Sequence, residues 1–144
     1  MSPTLASHFS DYSSFHATPG NKVCHYIGIP LIVLTLFALL AQVPVATVGG
    51  FNITLAEVLI ALVTVYYLTL DATLALLMLA VSVAFAAAGR FIPPVAAWSL
   101  FALGWVLQFI GHYAYEHRSP AFFRNLTHLL VGPLWILARA TGRT

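Results

Sequence analysis

From Thr54 to Ala88 the chain carries neither glycine nor proline, and only Glu57 and Asp71 bear charge. No other stretch limits the fold so strongly. As one helix it would run about 50 Å at ~1.5 Å per residue, against a bilayer core of roughly 30 Å. It therefore has to fold back on itself. Asp71, flanked by Thr69 and Thr73, marks the bend and gives expected spans at 54–70 and 72–88.

Composition says that the medium is lipid. Hydrophobic residues make up 60% of the 144 positions and charged residues 7%, whereas a soluble domain carries roughly 25% charged residues. Such a chain cannot clothe a water-facing surface. A further apolar run, Ile27 to Val43, has a length at the short end of what crosses a bilayer, and Val95 to His112 supplies another. The expected fold class is an all-α membrane protein, a single domain over 1–144 with four transmembrane helices at about 27–43, 54–70, 72–88 and 95–112. Pro44 to Asn52, with Gly49-Gly50, reads as a loop, and Gly89 to Pro94 as a tight turn.

Ahead of the first span, Leu5, Phe9, Tyr12 and His16 recur at offsets of four, three and four. That spacing predicts an N-terminal amphipathic helix lying along the membrane surface, started by Ser2 before Pro3. Thr18-Pro19-Gly20 ends it, and Asn21 is placed to cap the next helix. The apolar tail, Leu126 to Ala138, is too short to cross and is interrupted by Gly132-Pro133. It reads as a short C-terminal interfacial or re-entrant segment.

A net charge of +2 without a basic run argues against nucleic acid as a partner, and the single Cys24 excludes an internal disulfide. Met1 to Asn21 has no positive start and no apolar core, so no cleavable signal peptide is expected there. Four spans place both ends on one side. Lys22, Arg118, Arg124, Arg139 and Arg143 fall on that side, and Arg90 falls opposite. Positive residues favour the cytoplasmic face. The expected localisation is a multi-pass integral membrane protein with both termini cytosolic, in a bacterial inner membrane or, in a eukaryote, the endoplasmic reticulum.

None of the six histidines lies in the two middle spans or the outer loops. His16 and His25 precede or open the first span, and His112 and Glu116 close the last, so the topology brings them to one depth. Gln108, His112 and Glu116 recur every four residues, which on an α-helix gives them one face. Neutral imidazole suits Zn, Cu, Fe and Ni, and three histidines, with or without a carboxylate, hold a divalent ion with positions to spare. Singly, each has a plainer reading. His8 is a solvated residue, His117 a headgroup contact and His128 a packing or capping group of the tail; Asn21 is a helix cap and Lys22 a positive anchor. Taken together, His16, His25 and His112 with Glu116 and Gln108 point to one shared site, since polar groups at the end of an apolar helix are costly unless partnered.

Phe15-His16, then Asn21-Lys22 and His25 leading into Gly28-Ile29-Pro30, resemble the first motif of the 2-hydroxy fatty acid dioxygenases, small membrane proteins of fatty acid α-oxidation and phytosphingosine breakdown. Trp105, Gln108-Phe109-Ile110-Gly111-His112, Glu116, Pro120-Ala121 and Gly132-Pro133 resemble the second. His117 and His128 depart from the family pattern, where a lysine and a variable polar residue are expected. The resemblance implies an Fe(2+) cofactor held by His16, His25 and His112. It implies Glu116 as a fourth ligand or as the acceptor of a histidine N–H, Gln108 and Asn21 orienting O2 or a carboxylate, and Lys22 attracting the acid head. The implied partners are a long-chain 2-hydroxy fatty acid, O2 and the bilayer, with a homo-oligomer left open. Competing readings are a haem- or metal-binding four-helix membrane protein, a non-catalytic scaffold and a small transporter. They fit less well: only His112 lies within or at the edge of a span, and the middle spans carry mainly Thr and Ser where a transporter needs stronger polar groups.

Overall fold

The computed structural model describes residues 1–143 and is mostly helical. An amphipathic helix α1 (Pro3–Ser14) begins with Ser2 as its cap, the hydroxyl accepting from the Leu5 amide at 3.1 Å. Its apolar face buries Leu5, Phe9 and Tyr12. Helix α2 (Pro19–Leu40) follows. Here the expected cap is corrected: Thr18, not Asn21, precedes the first turn, because Pro19 fits the first helical position with its fixed φ and missing N–H. Asn21 lies inside the helix and is fully buried. The helix also ends at Leu40, short of the expected Val43.

The expected loop after α2 is a two-stranded antiparallel hairpin, β1 (Pro44–Val48) with β2 (Phe51–Thr54), in which Val48 pairs with Phe51. Gly49 and Gly50 turn it with φ of 57° and 81°, the left-handed pair that a tight two-residue hairpin requires. The chain is thus not wholly α. Thr54 closes the hairpin and caps α3 (Leu55–Leu70); its amide donates to Glu57 at 2.7 Å in a capping box. Asp71 then caps α4 (Ala72–Gly89), accepting from the Leu74 amide, so the bend falls where the sequence placed it. That hydrogen bond is the main influence holding the Asp71 carboxyl below its usual range. At the far ends of the pair, Arg90 bridges to Glu57 at 2.8 Å.

Helix α5 (Pro94–Ile110) continues into a π-helical segment, Gly111–Glu116, and a 3-10 turn at Ala121–Phe123 leads to α6 (Thr127–Ala140). Gly132-Pro133 does not interrupt α6, contrary to expectation. The helix packs on α1 and α4, burying Val131, Leu134, Trp135 and Ala138. Among the described residues three helical segments are long and apolar enough to cross a membrane: Pro19–Leu40, Ala72–Gly89 and Pro94–Glu116. Helix α3 is as apolar but, with 16 residues, shorter.

Two apolar clusters hold these helices. One joins α1, α6, the end of α3 and the start of α4 around Leu5, Leu74, Leu134 and Trp135. The other joins α2, α3 and α4 through Phe37, Ile60 and Ala86. The outward faces are apolar as well: Leu62, Val65 and Val95 are each more than 60% exposed. Lipid satisfies such a surface; water does not. Helices α2 and α5 make the most extensive pairing, crossing at Gly28 and Gly104. A Cβ on Gly28 would lie 3.0 Å from the Gly104 carbonyl oxygen, so each glycine exists to let the other backbone near. This crossing fixes how α2 and α5 present their side chains one turn further on.

Candidate metal centre

One turn beyond the crossing, three histidine rings meet. His16 comes from the link between α1 and α2, His25 from α2 and His112 from the π segment after α5. Their ring centroids lie 4.3 Å (His16–His25), 4.9 Å (His16–His112) and 4.8 Å (His25–His112) apart, all near-perpendicular. Each residue is 2% exposed. Burial, followed by the neighbouring His25, carries the His16 pKa down to about 3, so its ring is neutral.

The hydrogen bonds fix which nitrogen is free. His16 Nδ1 lies 2.6 Å from the Tyr12 carbonyl, and His25 Nδ1 lies 2.9 Å from the Asn21 carbonyl. A carbonyl only accepts, so both Nδ1 atoms carry the proton and both Nε2 atoms keep a lone pair. His16 Nε2 and His112 Nδ1 are buried with no hydrogen-bond partner among the described residues. Leaving such atoms unpaired costs about 1–3 kcal/mol each. A cation would partner them: one nitrogen from each ring lies within 4.8 Å of those of the other two. Ligands about 2 Å from a shared ion stand no more than about 4 Å apart, so the rings would have to draw in slightly to hold one. The trio could hold a metal ion, and backbone carbonyls behind two ligands are the usual way of orienting them.

The other expected site residues take different places. Gln108 is buried beside the trio, its amide donating to the Cys24 carbonyl at 3.5 Å. His112 and Glu116 both lie in the π-helical segment Gly111–Glu116. Glu116 reaches to the start of α2, accepting from the Thr18 amide at 2.6 Å and the Thr18 hydroxyl at 3.0 Å. Asn21 donates from its side chain to the Phe15 carbonyl at 3.1 Å and so ties down the link that carries His16. Lys22 lies half-buried on the first turn of α2. His128 is buried on α6, with Nε2 2.8 Å from Asp11. Thr18 and Tyr12 were not singled out by sequence. Thr18 carries a signal in retrospect, as a capping residue before proline; Tyr12 appeared only as a spacing residue of α1.

A cavity of about 390 Å³ opens from the trio into the helices. Tyr12, His16, His25, Gln108 and His112 line one end. Ile32 and Phe37 of α2, Ile60 of α3 and Met78 of α4 line the apolar remainder. The volume falls in the range of small-molecule sites. The arrangement joins a metal-competent polar head to an apolar body.

A family model described as "2-hydroxy-palmitic acid dioxygenase Mpo1-like" matches residues 2–144. The chain belongs to the Mpo1-like family. It is also 30% identical over 138 residues to the "2-hydroxy-palmitic acid dioxygenase MPO1" of Saccharomyces cerevisiae, an alignment covering 92% of this chain and 77% of the yeast protein. No solved structure matches this Mpo1-like chain.

Proposed function

We propose that this protein is an Fe(II)-dependent dioxygenase that converts a long-chain 2-hydroxy fatty acid and O2 to the fatty acid one carbon shorter. The observation that carries the reading is the buried histidine trio opening directly onto an apolar cavity. The printed activity of the yeast relative supports it. His16, His25 and His112 are the metal ligands. Ferrous iron bound there supplies the chemistry that engages O2, on the ligand positions three protein groups leave open.

The chain's own residues do the rest. Three neutral imidazoles bring no negative charge, so the site favours an acid, whose carboxylate compensates the cation. Gln108, at the cavity end of α5, orients the head group. Asn21 and Glu116 hold the backbone of the link and of α2, and thereby the positions of His16 and His25. Lys22, on the cytosolic approach, draws the acid toward the interface. The apolar walls receive the acyl chain, worth about 0.8 kcal/mol per buried methylene, and exclude water from the head. The overall reaction balances without another reductant: a 2-hydroxy acid and one O2 yield the shorter acid, CO2 and water.

The protein is read as a four-span membrane domain with both termini cytosolic, α3 crossing with the help of its capped ends. The test is an anaerobic preparation, reloaded with Fe(II), given 2-hydroxypalmitate and O2. Pentadecanoic acid is the expected product, and alanine at His16, His25 or His112 abolishes it. Full turnover by any one of these variants removes that residue from the ligand set.

A further inference from the structure

Among the described residues, Tyr12 lies against the histidine trio and also lines the cavity at its polar end. Its ring stacks on His16 with centroids 3.9 Å apart and planes 12° from parallel. The residue is 3% exposed. Its backbone carbonyl is occupied by His16 Nδ1, whereas its hydroxyl has no protein partner among the described residues. By contrast, the other buried phenol, Tyr67, donates to the Leu130 carbonyl at 2.5 Å. Unlike His16 Nε2 and His112 Nδ1, the phenol oxygen is not sealed off within the protein; with Tyr12 lining the cavity, a ligand there can supply the partner that a tyrosine hydroxyl normally finds.

The opposite helix leaves room for it. A Cβ on Gly132 of α6 would stand 3.0 Å from Tyr12 Oη and 3.0 Å from Ile29 Cδ1. Gly132 thus keeps open the space around the phenol oxygen. A phenol at neutral pH is a hydrogen-bond donor, and Tyr12 lines the same cavity as His16, His25 and His112.

We propose that Tyr12 is a substrate-binding residue whose hydroxyl donates a hydrogen bond to the carboxylate of the bound fatty acid. This rests on the cavity being the acid's site, as in the proposed function, but not on the metal or on turnover. A donor to a carboxylate in an enclosed site contributes a charge-assisted hydrogen bond. Its removal therefore weakens binding by about ten- to a hundredfold. Tyr12→Phe keeps the ring, the stack on His16 and the backbone carbonyl, and removes only the donor.

The experiment measures displacement of a fluorescent acyl probe by palmitate and by hexadecane-1-thiol, with the full chain in detergent micelles and metal removed by chelation. The thiol has the same chain length and no carboxylate. Y12F is expected to weaken palmitate by at least about tenfold and leave the thiol unchanged. Gly132→Ala, which crowds the hydroxyl while keeping it, should shift palmitate in the same direction. Iron content after reloading should be the same in Y12F and the parent chain. Equal palmitate affinity in Y12F and the parent, or equal weakening of both ligands, overturns the proposal. So does loss of iron from Y12F, which would make Tyr12 a support for His16. Because binding is read without metal, a failed turnover assay leaves this result standing, and the reverse also holds.

Discussion

His16 shows how a single residue can be read from the sequence for its chemistry but not for its state. Its ring lies on a short link, enclosed by Tyr12, His25 and His112, and remains neutral down to a pH of about 3. In the unfolded chain it titrates near 6.5. Between those values the unfolded chain binds more protons, so the free energy of unfolding rises with pH across this window and is unaffected above it. The metal-free protein is therefore expected to lose thermal stability as pH falls from about 6.5 towards 3, and His16→Gln to flatten that dependence. A melting series in buffered micelles reads both; an unchanged slope in the variant would contradict the assignment. His16, His25 and His112 are readable because imidazole is rare in apolar sequence and span parity alone brings these three together. Tyr12 is not, because a tyrosine at helical spacing is indistinguishable from core until the ring is seen against His16.

Between elements, the decisive geometry is the meeting of α2 with the π segment. Gly28 and Gly104 bring α2 and α5 into backbone contact, and Glu116, at the end of the π segment, then ties that segment to Thr18 at the start of α2. The sequence carries the glycines and the Gln108–His112–Glu116 spacing, but not the change of helical pitch after Ile110 nor the Thr18 partner of Glu116. Glu116→Ala should leave the Thr18 amide without its acceptor, cost ~1–2 kcal/mol of stability and weaken metal binding about ten- to a hundredfold through the loosened start of α2. Glu116→Gln, which keeps an oxygen acceptor, should lose less of each. Calorimetry and metal titration on the two variants distinguish this role from direct ligation, in which both would lose the ion alike. The hairpin at Pro44–Thr54 was legible only as a loop, since its strands are short and mostly exposed, although Gly49-Gly50 did mark its turn.

On the scale of the whole molecule, most of the architecture follows from the distribution of apolar length. The bend at Asp71, the amphipathic α1 and the long apolar helices stand where the pattern put them. The path of α6 does not follow from that pattern: proline within a helix normally signals a break, yet Pro133 is absorbed where α6 packs on α1 and α4. Two consequences belong to this scale. A membrane-impermeant thiol reagent applied to intact cells should label a cysteine at Gly50 and spare one at Ser2; the opposite pattern would invert the proposed topology. Short 2-hydroxy acids such as lactate should turn over far more slowly than 2-hydroxypalmitate, because only a long chain fills the apolar cavity.

The central claim is that rings from three separate parts of the chain hold one ion. Metal content per chain, measured on anaerobically purified protein after Fe(II) loading and desalting, tests it most directly. One iron per chain is expected in the parent, and none is retained when His16, His25 or His112 is replaced by alanine. A parent that binds no metal, or variants that keep a full equivalent, would contradict the account.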